Sequence, residues 1–196
     1  IGDTLLLMEH PHVITLGRGA DERFIVGNTD DVQIRRVARG GQVTYHGPGQ
    51  LIGYPILKLE GRDRDVMKYL RSLEAAMIDA LAKFGIDAGR RDGMTGVWVG
   101  TRKIGSIGVC IRRWTTWHGF ALNVSTDLSY FDSIVPCGIE GCRMTSVCEL
   151  TNRAVSVGEF AAVMRESFRR VFNYDEIFSV TASQIVRTPE LMAGDG

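Results

Sequence analysis

Cysteine is scarce in this chain: four residues in 196, Cys110, Cys137, Cys142 and Cys148, with no C-x-x-C pair among them. That excludes a disulfide scaffold and points to a reduced, cytoplasmic protein. The spacing of Cys137, Cys142 and Cys148 is not that of a closed zinc site, so no metal is expected. No apolar run approaches the ~20 residues needed to cross a bilayer, so a membrane protein is not expected. Neither G-x-G-x-x-G opening a helix nor G-x-x-x-x-G-K-[ST] occurs, and a nucleotide-phosphate cradle is not indicated. Excess charge of either sign is missing too. Lysine plus arginine (23) equals aspartate plus glutamate (23), which argues against a protein that holds nucleic acid through its overall field. There is no repeat and no low-complexity linker, and 44% apolar content suffices for one substantial core, so residues 1–196 read as a single domain. The first residue is Ile1 rather than methionine, and Leu5 to Leu7 already reads as a strand. The chain is therefore expected to lack its natural beginning, and any targeting segment with it.

What the chain does have is a glycine-rich stretch, Arg39-Gly40-Gly41-Gln42-Val43-Thr44-Tyr45-His46-Gly47-Pro48-Gly49-Gln50, running into the apolar Leu51-Ile52-Gly53-Tyr54-Pro55-Ile56-Leu57. Four glycines and a proline rule out a helix, and tyrosine, histidine, glutamine and arginine between them favour a loop shaped around a ligand over a β-hairpin with structural glycines. Alternation puts Gln42, Thr44 and His46 on one strand face, bordering a cavity, and Val43 and Tyr45 on the other. Ile34 to Ala38, Gln42 to His46 and Leu51 to Lys58 read as strands of one sheet. Before them, Leu5 to Glu9 and Val13 to Leu16 are short strands divided by His10-Pro11-His12, whose histidines read as turn residues rather than metal ligands, and a polar loop from Gly17 through Asp31 reads as a solvated connection or, alternatively, a flexible lid.

Asp65 to Phe84 is the clearest helix, because Val66, Leu70, Leu73, Met77, Leu81 and Phe84 recur at three- and four-residue intervals; Asp63 or Asp65 suits its start and Gly85 its end. Ile86 to Ala88, Val97 to Val99, Arg102 to Ile111 and Trp117 to Val124 are further strands, with a tight turn at Gly100-Thr101. Gly105 and Gly108 weaken their strand unless something, such as an acyl chain, approaches the backbone closely. A second helix follows the capping box of Ser156 and Glu159, and Ala193 to Gly196 is expected to fray. Strands joined by short turns favour an α+β domain with a largely antiparallel or mixed sheet packed with helices.

RGGQVTYHGPGQLIGYPI, from Arg39 to Ile56, resembles the signature of the lipoyl(octanoyl) transferase family. LLLMEHPHVITLGR from Leu5, RKIGSIGV from Arg102, HGFALNV from His118 and PCGI from Pro136 resemble the family's other blocks, in order. The resemblance implies a fold of the biotin/lipoate protein ligase type. It implies an acyltransferase that moves octanoyl from the phosphopantetheine of acyl carrier protein to a lysine of lipoyl domains, those of the 2-oxoacid dehydrogenase complexes and the glycine cleavage H protein. It implies no ATP, metal, nucleic acid or membrane. Its acyl-contacting segments fall on Arg39, Gly40, Gly41, Gln42, Val43, Thr44, Tyr45 and His46, on Ser106, Ile107 and Gly108, and on Gly119, Phe120 and Ala121.

Such a transfer needs a nucleophile to hold the acyl group between two carriers, and cysteine suits a thioester exchange. Cys110 lies in a strand and Cys148 in an apolar run, which leaves Cys137 and Cys142. Residue context favours Cys137, whose neighbour Gly138 presents an amide suited to an oxyanion, and the PCGI match selects it. A free thiol, with pKa ~8.5, is little ionised at neutral pH and needs a cation or base beside it. Lys103 is one of four lysines, and by itself reads as a solvated strand residue. The RKIGSIG match makes it the partner that lowers the cysteine pKa and relays a proton. His46 is the competing base; with Tyr45 and Arg39 it is assigned to binding. The pairs Arg35-Arg36, Arg90-Arg91 and Arg112-Arg113 read as a solvated face, or alternatively as a dock for an acidic carrier. Rival readings are an ATP-dependent lipoate ligase, a lipoyl-domain amidotransferase and a non-enzymatic lipoate- or biotin-binding module.

Overall fold

A computed structural model describes residues 2–29 and 32–180, so the Asp30-Asp31 end of the loop after Gly17 and the expected fraying of Ala193 to Gly196 lie outside the described residues. The apolar stripe at three- and four-residue intervals winds into α1 (Val66–Ala82). Asp65, not Asp63, caps it by accepting from the Lys68 amide at 3.0 Å, while Asp63 pairs with the Lys68 ammonium. Gly85, at φ 73°, ends it in the left-handed conformation that glycine adopts without steric cost.

Six strands form the main antiparallel sheet: β1 (Thr4–Met8), β5 (Gln50–Ile56), β6 (Gly89–Arg91), β7 (Met94–Val99), β8 (Arg102–Arg112) and β9 (Thr115–Asn123), in the order β1-β5-β9-β8-β7-β6. A short β10 (Arg143–Met144) adds to β8 in parallel, opposite Arg102 and Lys103. The remaining strands, β2 (Val13–Leu16), β3 (Gln33–Arg36) and β4 (Val43–His46), form a separate sheet of order β3-β2-β4. The expectation that β3, β4 and β5 share one sheet is therefore corrected. The chain turns at Gly47-Pro48-Gly49 and leaves β4 pairing with β2 instead. The α+β class with a mixed sheet stands.

Ile86 to Ala88 is not a strand, because the Ile86 amide donates back to the Leu81 carbonyl at the end of α1 and pairing resumes only at Gly89. Ser146 caps a short α2 (Val147–Thr151), and Ser156 caps α3 (Val157–Val171) by accepting from the Glu159 amide. The main core lies where α1 and α3 cover the large sheet: Leu73, Met77, Leu81, Phe160, Met164 and Phe168 pack with Val97, Ile104 and Leu122. A smaller core of Ile14, Leu16, Val43, Tyr45, Phe131 and Ile134 backs the small sheet. Burial of such side chains stabilises by roughly 1.5–3 kcal/mol each, so two cores hold the two sheets firmly enough to define a cleft between them.

The loop after Gly17, read as a solvated connection or a lid, is a buttress in its described part. Its Glu22–Phe24 turn is pinned by Val26 and Gly27 amides on the Ser133 carbonyl and by the Val135 amide on the Phe24 carbonyl.

Candidate active site

The chain swings from Ser133 through the turn Pro136–Gly138, whose middle residue carries the thiol. Cys137 has φ 57° and ψ 16°, left-handed backbone that costs a residue with a Cβ about 1–2 kcal/mol. The turn closes with Gly138 N–H donating to the Val135 carbonyl (3.0 Å) and Ile139 N–H to the Pro136 carbonyl (3.1 Å). The Gly138 amide is thus already spent within the turn, which corrects the expectation that it is free for an oxyanion.

Opposite the thiol stands Lys103. Its strand β8 is gripped on both sides there, by Trp98 of β7 and Met144 of β10, with the Thr145 amide donating to its carbonyl at 2.9 Å. The side chain is 1% exposed, so the reading of a solvated strand lysine fails. Nζ donates to Cys137 Sγ at 3.4 Å and to the Thr95 carbonyl at 3.1 Å, and lies 5.2 Å from the centre of the Trp98 ring. Among the described residues it has no carboxylate partner within salt-bridge distance. The buried Lys103 amine is thus surrounded by sulfur, carbonyl dipole and ring face, within hydrogen-bonding reach of the thiol. Ser106 Oγ sits 3.9 Å from the same sulfur.

Both side chains open onto a cleft of about 660 Å³ between the two sheets. Arg39, Gly41, Gln42, Thr44 and His46 line it from the small-sheet side, and Ser106, Ile107, Gly108, Gly119, Phe120 and Ala121 from the large sheet. Gly40, Val43 and Tyr45 do not line it. Strand alternation turns Val43 and Tyr45 into the smaller core, where Tyr45 stacks on Tyr130 and shares a hydrogen bond with His12 Nδ1 at 2.8 Å. Gly40 instead donates its amide to the Val109 carbonyl, fastening the loop to β8.

Arg39, 7% exposed, spends its donors inside the protein: Nη2 on the Thr15 carbonyl (2.6 Å), Nε and Nη2 on the Thr15 hydroxyl, and Nη1 on the carbonyls of Gly40 (3.0 Å) and Gln42 (2.9 Å). Burial pulls its pKa down. It shapes the glycine loop from inside while adding positive charge to the cleft. The glycines of β8 have neighbours other than an acyl chain: a Cβ at Gly105 would meet Met77 Sδ at 2.9 Å, and one at Gly108 would meet Arg39 Cδ at 2.8 Å.

His46 Nδ1 lies 2.7 Å from Gln50 Oε1, an acceptor, which puts the ring proton on Nδ1. Burial pushes the ring's pKa down to about 4, with Gln50 opposing and Arg39 adding to the fall. His46 is neutral at physiological pH. All four histidines line the cleft, His10, His12 and His118 besides His46, and burial lowers His10 and His118 as well. Sequence reading placed His10 and His12 in a turn and missed this convergence. Among the described residues no group of three metal-binding side chains is arranged to hold an ion.

The other cysteines lie elsewhere. Cys110 is buried in β8 and accepts from Arg18 Nη2 at 3.2 Å; Cys148 bonds to Val155 through both backbone groups; Cys142 is pushed up by burial and lines a separate pocket behind the turn. The arginine pairs are partly committed, Arg36 to Glu22, Arg90 to Glu74 and Arg91 over Trp98. Sequence reading also missed the buried polar residues Gln50, Asn123 and Thr145. Gln50 Nε2 donates to Asn123 Oδ1 (2.9 Å), and Asn123 Nδ2 to the Thr145 carbonyl (3.0 Å), linking His46 to Thr145, whose amide donates to the Lys103 carbonyl. Polar side chains inside strand patterns were the only available signal.

This fold is that of the lipoate protein ligases. The bipartite lipoate protein ligase of Thermoplasma acidophilum superposes with a TM-score of 0.73 at 20% identity, over 93% of this chain and 76% of that one. The lipoyl protein ligase A/B catalytic domain profile matches residues 1–169, and the chain belongs to that family. The octanoyltransferase of Solibacter usitatus is 53% identical, over 88% of this chain and 80% of its own length. That of Gloeobacter violaceus is 49% identical, over 87% and 76%.

Proposed function

We propose that the chain transfers an octanoyl group from octanoyl-acyl carrier protein to a lysine of a lipoyl domain, through a thioester on Cys137 with Lys103 as proton partner. The octanoyltransferases with about half of their residues identical support the acyl group and the reaction class. The Thermoplasma ligase, described with its E2 lipoyl domain, supports a lipoyl-domain acceptor. Domains of the 2-oxoacid dehydrogenase complexes and the glycine cleavage H protein are the acceptors proposed. Four free thiols accord with a cytoplasmic setting.

The observation that carries the mechanism is the 3.4 Å contact between Lys103 Nζ and Cys137 Sγ at the cleft. In the first half-reaction the Cys137 sulfur bonds to the thioester carbonyl carbon, the carbon–sulfur bond to the carrier breaks, and Lys103 gives its proton to the departing pantetheine thiolate. In the second, the lipoyl-domain amine attacks the acyl-enzyme, Lys103 takes the amine's proton, and the Cys137 thiolate leaves. A thioester is already activated, so neither ATP nor a metal enters the scheme. Lys103 Nζ and Ser106 Oγ are the donors beside the sulfur for the oxyanion, in place of the Gly138 amide.

Intact mass spectrometry after mixing with octanoyl-carrier protein, without ATP, tests this. Wild type is expected to gain one octanoyl mass, removed by an apo lipoyl domain, and Cys137→Ser to gain none. An unmodified wild type that acylates the lipoyl domain only when given free octanoate and ATP refutes it in favour of a ligase.

A further inference from the structure

The 3.4 Å spacing of Lys103 and Cys137 is held by parts of the molecule that do not touch the sulfur. A lysine has four rotatable bonds and a compact, undirected charge, so something rigid must aim it. No carboxylate does so among the described residues; the fixed acceptor is the Thr95 carbonyl, 3.1 Å from Nζ. That carbonyl precedes Gly96, whose φ of +121° is closed to residues with a Cβ. A Cβ at Gly96 would sit 2.8 Å from Lys103 Cε and 2.5 Å from the Gly105 carbonyl oxygen. Here the β7–β8 register slips: Val97 faces Gly105, yet the next residue, Trp98, faces Lys103. The extra residue is Ile104 on β8, and beside this bulge the β7 backbone presents the Thr95 carbonyl to the lysine.

The β7 backbone beside the bulge is tied down by Glu74, a carboxylate on α1 with no exposed surface. Oε1 accepts the Gly96 N–H at 3.0 Å. Oε2 accepts from Arg71 Nη1 (2.7 Å) and Arg90 Nε (2.8 Å), two half-exposed arginines that balance the charge from the surface. Arg90 in turn donates to the Arg71 carbonyl. One oxygen is thus neutralised from outside while the other grips the strand that aims the lysine.

We propose that Glu74 is a positioning residue for the acyl transfer: through Gly96 and the Thr95 carbonyl it holds the Lys103 ammonium on Cys137. This rests on the cysteine–lysine reading above. The alternative is that Glu74 merely anchors helix to sheet by its charge. Two variants separate them. Arg90→Met removes one of the charge partners but leaves Oε1 on the Gly96 amide; Glu74→Asp keeps the charge but falls about 1.5 Å short of the amide.

The readout is the rate at which iodoacetamide modifies the Cys137 peptide at pH 7, followed by mass spectrometry, together with kcat and KM for octanoyl-carrier protein. If Glu74 acts by position, Glu74→Asp slows alkylation and kcat by roughly tenfold or more with KM little changed, while Arg90→Met stays within about threefold of wild type. Glu74→Asp within that threefold, or Arg90→Met as slow as Glu74→Asp, overturns the proposal. Lys103→Met runs alongside. A wild-type rate there sinks the cysteine–lysine reading itself, whereas a slow Lys103→Met beside a fast Glu74→Asp sinks only the role of Glu74. If Glu74→Asp does not fold, Gly96→Ala, which drives a methyl into Lys103 Cε, carries the test with the same expected slowing; a wild-type rate from it refutes the proposal.

Discussion

Acid is expected to destabilise this protein through His46. The ring is held neutral inside the cleft wall, its Nδ1 proton given to Gln50 and its pKa pushed down to about 4, chiefly by burial. In the unfolded chain the same ring takes a proton at about pH 6.5. Between those values the unfolded state binds a proton that the folded state refuses, so stability is full above about pH 6.5 and drains away as the pH falls towards 4. The gap is worth on the order of 2 kcal/mol at pH 5 and about 3 kcal/mol once pH 4 is reached. The assay is urea denaturation of wild type and His46→Gln at half-unit steps from pH 7.5 to pH 4.5. The replacement amide can still donate to Gln50 but does not titrate in this range. Because His10 and His118 remain in both proteins, the difference between the two curves isolates His46. The variant is expected to start lower at pH 7 and to fall less steeply, so that the curves converge by about 2 kcal/mol at pH 5. Parallel curves refute the reasoning, and would mean that the ring takes up its proton equally well in the folded state.

Two further outcomes follow from the geometry. Cys137→Gly removes the thiol but also a Cβ from left-handed backbone, so it is expected to abolish the octanoyl adduct while raising stability by up to about 1 kcal/mol in denaturant titrations. Arg39→Lys keeps the charge but cannot reach the Thr15, Gly40 and Gln42 carbonyls together, and is expected to cost about 2–4 kcal/mol in the same titration.

Local pattern accounts for what was legible before any coordinates. The helix at Val66–Ala82 follows from apolar residues one turn apart and an aspartate cap, and the facing of Gln42, Thr44 and His46 follows from alternation along β4. Both depend only on near neighbours. Family membership was legible as well, because five blocks in order leave little room for coincidence. The strand expected at Ile86 to Ala88 went wrong for a local reason of its own, since the helix end claimed the Ile86 amide first.

Cys137 and Lys103 lie 34 residues apart, and their contact at 3.4 Å is visible only once β10 and the Pro136–Gly138 turn are folded against β8. The same holds for Glu74 and the Gly96 amide, 22 residues away, where a charged residue on a helix looks like surface until its face packs on β7. Residue type and spacing determined which groups with chemistry this protein owns and which of them share a strand face or a helix stripe. Tertiary packing decided which meet, which amides are already spent, and that β2, β3 and β4 leave the main sheet to open a cleft. The reason is that hydrogen-bond partners and burial are set by surfaces brought together across long stretches of chain, and no window of neighbouring residues contains both sides of such a contact.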